Sequence, residues 1–113
     1  MTVSRSDLAG VVLAAGAGTR LRPLTYELPK AMCPVGNRPL VDWAIDRVTP
    51  HVSSVAVNAH ESAPALVEHV RGRVHVSVES GERLGTAGAL GRLRPWIDGR
   101  HVLYWQGRIE QWA

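Results

Sequence analysis

A short apolar run that ends in a glycine-rich turn constrains the fold of this chain more than any other feature. Residues 9–15 read Ala-Gly-Val-Val-Leu-Ala-Ala without a polar side chain, and Gly16 and Gly18 follow almost directly. A run this short and this uniformly apolar is typical of a strand that is buried on both faces. Such a strand needs a covering layer on each side, so we expect a sheet placed between helices.

Strand and helix patterns alternate along the rest of the chain. Three further strands are predicted at 54–58, 74–79 and 101–105. Three helices are predicted between them, at 39–48, 63–70 and, more weakly, 86–93. Strands that alternate with single helices form a parallel sheet, so the predicted fold class is a three-layer α/β domain. Within 74–79 we expect the valines to face the core and the polar residues to face away.

Composition narrows the classes of function. The chain has 113 residues, of which 45% are hydrophobic and 20% charged, as expected of one globular domain. The N-terminal segment is too polar for a signal peptide, no apolar run reaches the length of a membrane span, and Cys33 is the only cysteine. These features predict a cytoplasmic protein without a membrane partner. The net charge of +3 is spread along the chain, so nucleic acid is not an expected partner, and an oligomer is left open.

The glycine-rich turn predicts a site for phosphate groups. Glycine lets the backbone approach a ligand closely and present N–H groups to an anion, and ligands of parallel sheets bind at the carboxyl ends of the strands. The dinucleotide-binding pattern G-x-G-x-x-G fails because Leu21 occupies its last glycine position, and no Gly-Lys-Ser/Thr completes a Walker A pattern. A dinucleotide-dependent oxidoreductase domain is therefore only a weak alternative.

Residues 13–32, LAAGAGTRLRPLTYELPKAM, resemble the signature of the sugar-1-phosphate nucleotidyltransferase family. The match includes L-A-A-G-x-G-T-R-L, then P-L-T, then P-K at the expected gaps. The resemblance continues through PVGNRPLVDWAIDRV and again at 79–93, ESGERLGTAGALGRL, which is similar to the nucleobase-reading segment of the mannose-1-phosphate guanylyltransferase-like branch. It covers about residues 10–103. The implied fold is the N-terminal, nucleotide-binding part of a Rossmann-like nucleotidyltransferase domain, so that residues 1–113 form an incomplete domain.

The resemblance implies an enzyme that transfers a nucleoside monophosphate from a nucleoside triphosphate to a sugar 1-phosphate and releases pyrophosphate. Its implied catalytic residues are Arg20, which would hold the pyrophosphate, and Lys30, which would lie at the α-phosphate or the sugar phosphate. Lys30 is the only lysine among thirteen basic residues, which favours a chemical role for it. The implied nucleotide-binding residues are Leu13, Ala14, Ala15, Gly16, Ala17, Gly18 and Thr19 in the turn, and Glu79, Gly85, Thr86, Ala87 and Gly88 in the second segment.

The chain departs from the family pattern after its last predicted strand. The resemblance implies a Mg²⁺ held by the aspartate of a V-L-x-x-N-G-D pattern, but the chain reads VLYWQGR, with Gln106 and Arg108 at the asparagine and aspartate positions. Arginine is only a donor and cannot ligate a cation, so no metal ligand is assigned. Residues 106–113 therefore read as an atypical tail, and we expect a truncated enzyme with little activity alone. The alternative is a nucleotide-binding or regulatory module without catalysis.

Overall fold

The computed structural model describes residues 4–16 and 30–106. In these ranges the chain forms, in order, β1 (Leu8–Leu13), β2 (Pro34–Val35), β3 (Arg38–Pro39), α1 (Leu40–Val48), β4 (Ser54–His60), α2 (Pro64–Val70), β5 (His75–Glu79), α3 (Gly85–Arg92), α4 (Arg94–Ile97) and β6 (His101–Trp105). Short 3₁₀ turns lie at Arg5–Asp7, Lys30–Met32 and Thr49–His51. Each predicted strand and helix is present, and every bound lies within two residues of the predicted one.

The central sheet consists of four parallel strands in the order β5-β4-β1-β6. The chain winds outward from β1 through β4 to β5 and then crosses back over β1 to reach β6. The direction of winding therefore reverses between β1 and β6. In open α/β sheets a crevice forms outside the carboxyl ends of the strands at such a reversal.

Helices cover both faces of the sheet, which confirms the predicted three-layer, Rossmann-like α/β fold. On one face α1 and α2 pack on the sheet through a large buried cluster that includes Val12, Val41, Ile45, Val48, Val57, Leu66 and Val70. On the other face, the segment of α3 and α4 contributes Leu93, which packs with Val11 and Ala56. Across residues 4–16 and 30–106, none of the helices is long and apolar enough to span a bilayer.

A glycine in the middle of β1 allows α1 to pack closely on the sheet. A Cβ atom at Gly10 would lie 2.7 Å from Cγ1 of Val48 and 2.9 Å from Cγ2 of Val52. Both valines are buried and β-branched, so neither side chain can move aside cheaply. The close contact between the end of α1 and β1 therefore depends on the missing side chain of Gly10.

An antiparallel hairpin of β2 and β3, absent from the predictions, leads into α1. Its turn residues Gly36 and Asn37 have φ angles of 56° and 69°, and positive φ at both positions is the requirement of a two-residue type I′ turn. The Trp43 indole N–H donates to the carbonyl of Val35 at 2.6 Å, and the Arg38 guanidinium lies 4.7 Å from the centroid of the same ring. These contacts fix the hairpin on the first turn of α1.

Burial along β5 does not follow the predicted alternation. Val76 packs against the cluster under α1 and α2, but Val78 is 37% exposed and Glu79 is only 1% exposed. The prediction that all three valines face the core and that Glu79 faces away is wrong. Burial of Glu79 is tolerated because its carboxylate accepts two hydrogen bonds. These hydrogen bonds offset the free-energy cost of removing the carboxylate from water.

A partly buried carboxylate links the two helices on one face of the sheet. Oδ1 of Asp42 in α1 lies 2.8 Å from Nε2 of His69 in α2 and 2.9 Å from Nη1 of Arg73 just beyond α2. Burial acts to raise the pKa of Asp42, but the hydrogen bonds and positive charges of Arg73 and His69 outweigh it and lower the pKa of this carboxyl below its usual range.

Candidate functional site

A cleft of about 270 Å³ opens at the carboxyl edge of the parallel sheet. Because β1, β4, β5 and β6 all run in one direction, the residues that follow these strands meet at this edge. The cleft is lined by Leu13, Ala15, Gly16, Lys30, Asn58, Glu79, Arg83, Gly85, Thr86 and Gln106. Gly16, the first glycine after β1, is thus placed where ligands of such sheets bind.

The structure brings most of the described candidate residues together. The cleft contains Leu13, Ala15, Gly16, Lys30, Glu79, Gly85 and Thr86. Ala14 lines an adjoining pocket of about 100 Å³ that shares Gly16 and Lys30 with the cleft. The structure does not bring Ala87 and Gly88 to the lining of either pocket. Four candidates lie outside the described residues, namely Ala17, Gly18, Thr19 and Arg20. Arg108, which departs from the family pattern, also lies outside them. What was expected of these residues stays a prediction.

Gly85 and Gly88 have different structural reasons for being glycine. Gly85 has a φ of 73°, a left-handed conformation in which any side chain would be strained. Gly88 lies inside α3, and a Cβ atom there would lie 2.7 Å from Cβ of Leu84. Backbone conformation therefore explains the glycine that lines the cleft, whereas packing against Leu84 explains the one that does not.

Asn58 is a buried bridge between two walls of the cleft. Its Oδ1 accepts a hydrogen bond from the backbone N–H of Ala14 at 2.7 Å, and its Nδ2 donates to Oε2 of Glu79 at 2.7 Å. Asn58 is 3% exposed and Glu79 is 1% exposed. Since the amide must donate to the carboxylate and accept from the backbone, only one orientation of the side chain satisfies both partners. The end of β1 is therefore tied through Asn58 to the end of β5.

The second oxygen of the Glu79 carboxylate sets the start of α3. Oε1 accepts a hydrogen bond from the backbone N–H of Leu84, the residue before the helix, at 3.0 Å. No side chain within the first turn caps this helix, so the carboxylate from β5 supplies an acceptor that Thr86 does not. A negative charge at a helix N-terminus is also favoured by the helix dipole. Glu79 thus orders the wall that carries Gly85 and Thr86.

Lys30 reaches the cleft from an anchored turn. It begins the 3₁₀ turn Lys30–Met32, in which the Cys33 N–H donates to the Lys30 carbonyl at 3.0 Å and Ala31 is buried in the core. Burial also raises the pKa of the Cys33 thiol. The side chain of Lys30 lines both the cleft and the adjoining pocket. The positive charge of Lys30 therefore lies in the cleft at the end of β1.

Arg83 is a second cation of the cleft, which the sequence analysis did not single out. Its Nε donates to the carbonyl of Ala15 at 2.6 Å, and its Nη2 lies 3.3 Å from Oγ of Ser62. Ala15 and Arg83 are 68 positions apart in the sequence. Neither Asn58 nor Arg83 belongs to the glycine turn. The sequence contains one signal for each residue. Asn58 ends a predicted strand, and Arg83 lies within the segment ESGERLGTAGAL that resembles the family.

A histidine behind Arg83 holds the segment that carries it. Nδ1 of His60 accepts a hydrogen bond from the Ser62 backbone N–H at 3.1 Å, so the ring proton lies on Nε2 and is donated to the carbonyl of Gly81 at 2.6 Å. The N–H of Gly81 in turn donates to Oε1 of Glu61 at 3.2 Å. The turn before Arg83 is therefore fastened to the end of β4 from two sides.

The end of β6 closes the cleft from the opposite side. Nε2 of Gln106, directly after β6, donates to Oγ1 of Thr86 at 2.5 Å. Trp105, at the end of β6, lines the adjoining pocket and packs against the core under α1. The hydroxyl of Thr86 thus joins the start of α3 to the end of β6.

Comparison with known proteins identifies the family. The family model described as nucleotidyl transferase matches residues 9–105. The chain belongs to this family. A curated relative, the N-acetylmuramate alpha-1-phosphate uridylyltransferase of Caulobacter vibrioides, is 42% identical over 72 residues, which are 63% of this chain and 30% of the relative. The mannose-1-phosphate guanyltransferase of Aspergillus fumigatus is 40% identical over 91 residues, which are 74% of this chain and 25% of the relative.

Solved structures agree with the nucleotidyl transferase assignment. The inositol-1-phosphate CTP transferase from T. maritima superposes with a TM-score of 0.72 at 25% identity, over 92% of this chain and 44% of that structure. The chain spans between 20% and 30% of the length of the first curated relatives and about half of the matching structures. The match to the nucleotidyl transferase family therefore concerns the part of those proteins that corresponds to residues 9–105.

No described residue is assigned to the Mg²⁺ that the family resemblance implies, and the Mg²⁺ stays an expectation. Within residues 4–16 and 30–106, no three His, Cys, Asp or Glu side chains come together in a way that could hold a metal ion. The carboxylate that lines the cleft, Glu79, is buried and already accepts hydrogen bonds from Asn58 and Leu84. No step of the chemistry below is assigned to a metal ion.

Proposed function

We propose that this chain binds a nucleoside triphosphate in the cleft at the carboxyl edge of the sheet. We further propose that it is the nucleotide-binding part of an enzyme that transfers a nucleoside monophosphate to a sugar 1-phosphate. The relatives named above support this choice of acceptor, since one is named for N-acetylmuramate 1-phosphate and the other for mannose 1-phosphate. Residues 9–105 match the nucleotidyl transferase family, so the type of transfer follows the family.

The observation that carries the proposal is the arrangement around Gly16. This glycine lies three residues after the end of the buried strand β1, and the cations Lys30 and Arg83 line the same cleft. Glycine gives a polyanion access to the backbone, and two cations within one cleft offset the charge of a triphosphate. Gly85 and Thr86 form the wall across from this turn, where the resemblance implies that the nucleobase binds.

The proposed reaction requires little covalent chemistry from the protein. An oxygen of the sugar phosphate attacks the α-phosphorus, the bond between that phosphorus and the bridging oxygen to the β-phosphate breaks, and pyrophosphate leaves. Catalysis then consists of positioning and of stabilising charge. Lys30, a compact point charge, is suited to follow charge that builds on one α-phosphate oxygen. Arg20 keeps its predicted role on the pyrophosphate.

The experiment that tests the proposal measures nucleotide binding by isothermal titration calorimetry. The parent chain is titrated with UTP, GTP, CTP, ATP and dTTP, and then Lys30→Gln and Arg92→Gln are titrated with the nucleotide that binds most tightly. Because a charge-assisted hydrogen bond contributes roughly 1.5–3 kcal/mol, we expect Lys30→Gln to weaken binding by about tenfold or more. Arg92→Gln removes the same charge from an exposed position at the end of α3 and should leave binding unchanged.

Either of two results would contradict nucleotide binding in this cleft. One is the absence of heat for all five triphosphates at millimolar concentration. The other is equal weakening by Lys30→Gln and Arg92→Gln, which would indicate a general effect of net charge rather than a contact in the cleft.

Transfer by the isolated chain is tested separately from binding. Arg108 occupies the position at which the family pattern has an acidic residue, and this favours the alternative function of nucleotide binding without catalysis. We therefore expect the isolated chain to bind a triphosphate but to release no pyrophosphate when sugar 1-phosphates and Mg²⁺ are added. Steady pyrophosphate release that depends on a sugar 1-phosphate would remove this alternative and assign the full reaction to the chain.

A further inference from the structure

We infer that Arg83 is a positioning residue that fixes the Ala15–Gly16 peptide, after β1, in the orientation that receives a phosphate group. This inference rests on the proposed binding of a nucleoside triphosphate. Its basis is the 2.6 Å hydrogen bond from Nε of Arg83 to the carbonyl of Ala15, the last residue before Gly16. Arg83 comes from the segment between β5 and α3, so a remote wall of the cleft holds the turn.

Planarity of the peptide bond connects this hydrogen bond to the phosphate-binding group. The carbonyl of Ala15 and the N–H of Gly16 belong to one peptide unit, in which the two groups point in opposite directions. Holding the carbonyl on the guanidinium therefore fixes the direction of the Gly16 N–H. Glycine has the widest conformational freedom of any residue, so the Ala15–Gly16 peptide would otherwise rotate readily. Arg83 removes that freedom at the first donor of the turn.

Arg83 is itself held in place on the side away from the turn. Nη2 of Arg83 lies 3.3 Å from Oγ of Ser62, and that hydroxyl lies 2.9 Å from Nδ1 of the buried His60. His60 also holds the carbonyl of Gly81, two residues before Arg83. The guanidinium therefore bridges the ends of β1 and β4 with two nitrogens of one rigid plane.

The requirement for this bridge is geometric as well as electrostatic. A guanidinium presents several N–H groups in a fixed fork, whereas an ammonium is a single point charge on a flexible stem. Lysine at position 83 would keep the charge of the cleft, but one ammonium would not reproduce the planar bridge between Ala15 and Ser62. The variant Arg83→Lys therefore separates the two roles.

The experiment compares Arg83→Lys and Arg83→Gln with the parent and with Arg92→Gln as a control for charge. Each protein is titrated with the triphosphate that binds the parent most tightly and with the corresponding nucleoside, which lacks phosphates. We expect both Arg83 variants to weaken triphosphate binding by about tenfold while nucleoside binding stays within about twofold, because in the proposed complex the Gly16 N–H serves the phosphates and not the nucleoside. A merely structural role would weaken both ligands together.

Two outcomes of the titration would overturn the inference. If Arg83→Lys binds the triphosphate as tightly as the parent, charge alone is needed. If the nucleoside is weakened as much as the triphosphate, Arg83 supports the whole cleft and not the turn. The test separates the role of Arg83 from the proposed binding of a triphosphate. If Lys30→Gln weakens binding and the Arg83 variants do not, only the role of Arg83 is rejected.

A measurement without nucleotide tests the same contact independently of binding. In ¹⁵N-labelled protein, the amide resonance of Gly16 should shift or broaden in Arg83→Lys, since its peptide unit is released, and stay in place in Arg92→Gln. The amide of Val57 in the middle of β4 should not move in either variant, which would show that the fold is intact. An unchanged Gly16 resonance in Arg83→Lys would overturn the inference even if no triphosphate bound.

Discussion

Asn58 connects two parts of the cleft that are far apart in the sequence. Its amide accepts from the N–H of Ala14 and donates to Glu79, and both Asn58 and Glu79 are almost inaccessible to solvent. Buried polar groups that satisfy one another specify a unique arrangement, but removal of one member leaves the others without partners in a medium that penalises them. The cleft therefore depends on this amide for its shape.

Replacing Asn58 with leucine should destabilise the protein by about 3 kcal/mol, because the buried carboxylate of Glu79 loses a donor and the N–H of Ala14 loses an acceptor. Chemical denaturation followed by circular dichroism measures this loss. Ser77→Ala is the control, since Ser77 pairs with Asn58 across the strands but its side chain is less buried. Equal stability of Asn58→Leu and the parent would show that the network contributes nothing.

Residues of the cleft differ in how far the sequence could predict them. Lys30 and Gly16 belong to a continuous motif, so the family resemblance pointed to Lys30 and the glycine-rich turn pointed to Gly16. Asn58 and Arg83 act through contacts with residues 44 and 68 positions away, and no local pattern encodes such a distance. Glu79 was predicted as part of the site, but its burial and its two acceptor bonds depend on the tertiary structure.

Glycines in two elements should respond to substitution in opposite directions. Gly10→Ala places a methyl group 2.7 Å from Val48 in a tightly packed interface, so we expect a loss of about 2 kcal/mol in the free energy of unfolding. Gly91 lies in α3 with no atom within 4 Å of the added Cβ, so Gly91→Ala should stabilise the protein by up to about 1 kcal/mol.

Both glycine variants are measured by urea denaturation, and the opposite signs make each the control of the other. A stabilising Gly10→Ala would mean that α1 does not pack against β1 as closely as described. In that case the valines at the end of the helix would have space to move.

The link between α1 and α2 should make stability depend on pH in the acid range. The pKa of Asp42 is lowered in the folded protein, so folding is favoured by its ionised form. Its contribution is present above the unfolded pKa of about 3.9 and is lost as the pH falls through the lower folded value. We expect the stability difference between the parent and Asp42→Asn to be largest near neutral pH and to diminish below about pH 4.

Denaturant titrations of both proteins at several pH values measure this difference. The matched control is Asp98→Asn, because Asp98 is exposed and has a φ of 52°, a conformation that asparagine adopts equally well. A stability difference for Asp42→Asn that does not change between pH 7 and pH 3 would contradict the role assigned to the ionised carboxylate.

Elements were easier to predict than their connections. Periodicity located the four strands of the sheet and the helices between them, because burial of one face imposes a repeating pattern on the sequence. The hairpin of β2 and β3 was missed because its strands have only two residues each, too few for any period. Gly36-Asn37 was its one local sign, a pair suited to positive φ at both turn positions. The exposure of Val78 was not predicted because the next residue, Glu79, is buried by its hydrogen bonds at the end of β5. The alternation that the sequence suggests is therefore lost there.

At the scale of the whole molecule, the strand order explains why the cleft lies where it does. The winding reverses between β1 and β6, and a crevice forms outside the ends of strands at such a reversal. The segments after β4 and β5 contribute to the lining of this cleft. Parallel pairing was predictable from the alternation of strands and helices, but the side chains that cross the cleft were not. Topology sets the position of the site, and long-range hydrogen bonds set its shape.

The position of Lys30 has a practical consequence for covalent chemistry. This sequence contains a single lysine and a single cysteine, three residues apart, and Lys30 lines the cleft while Cys33 is buried. Acylating or aldehyde reagents therefore find one lysine to modify, and mass spectrometry of the peptide that contains Lys30 separates that event from reaction at an α-amine. Whatever fills the cleft shields the same nitrogen, so the protein carries its own occupancy reporter without an engineered label.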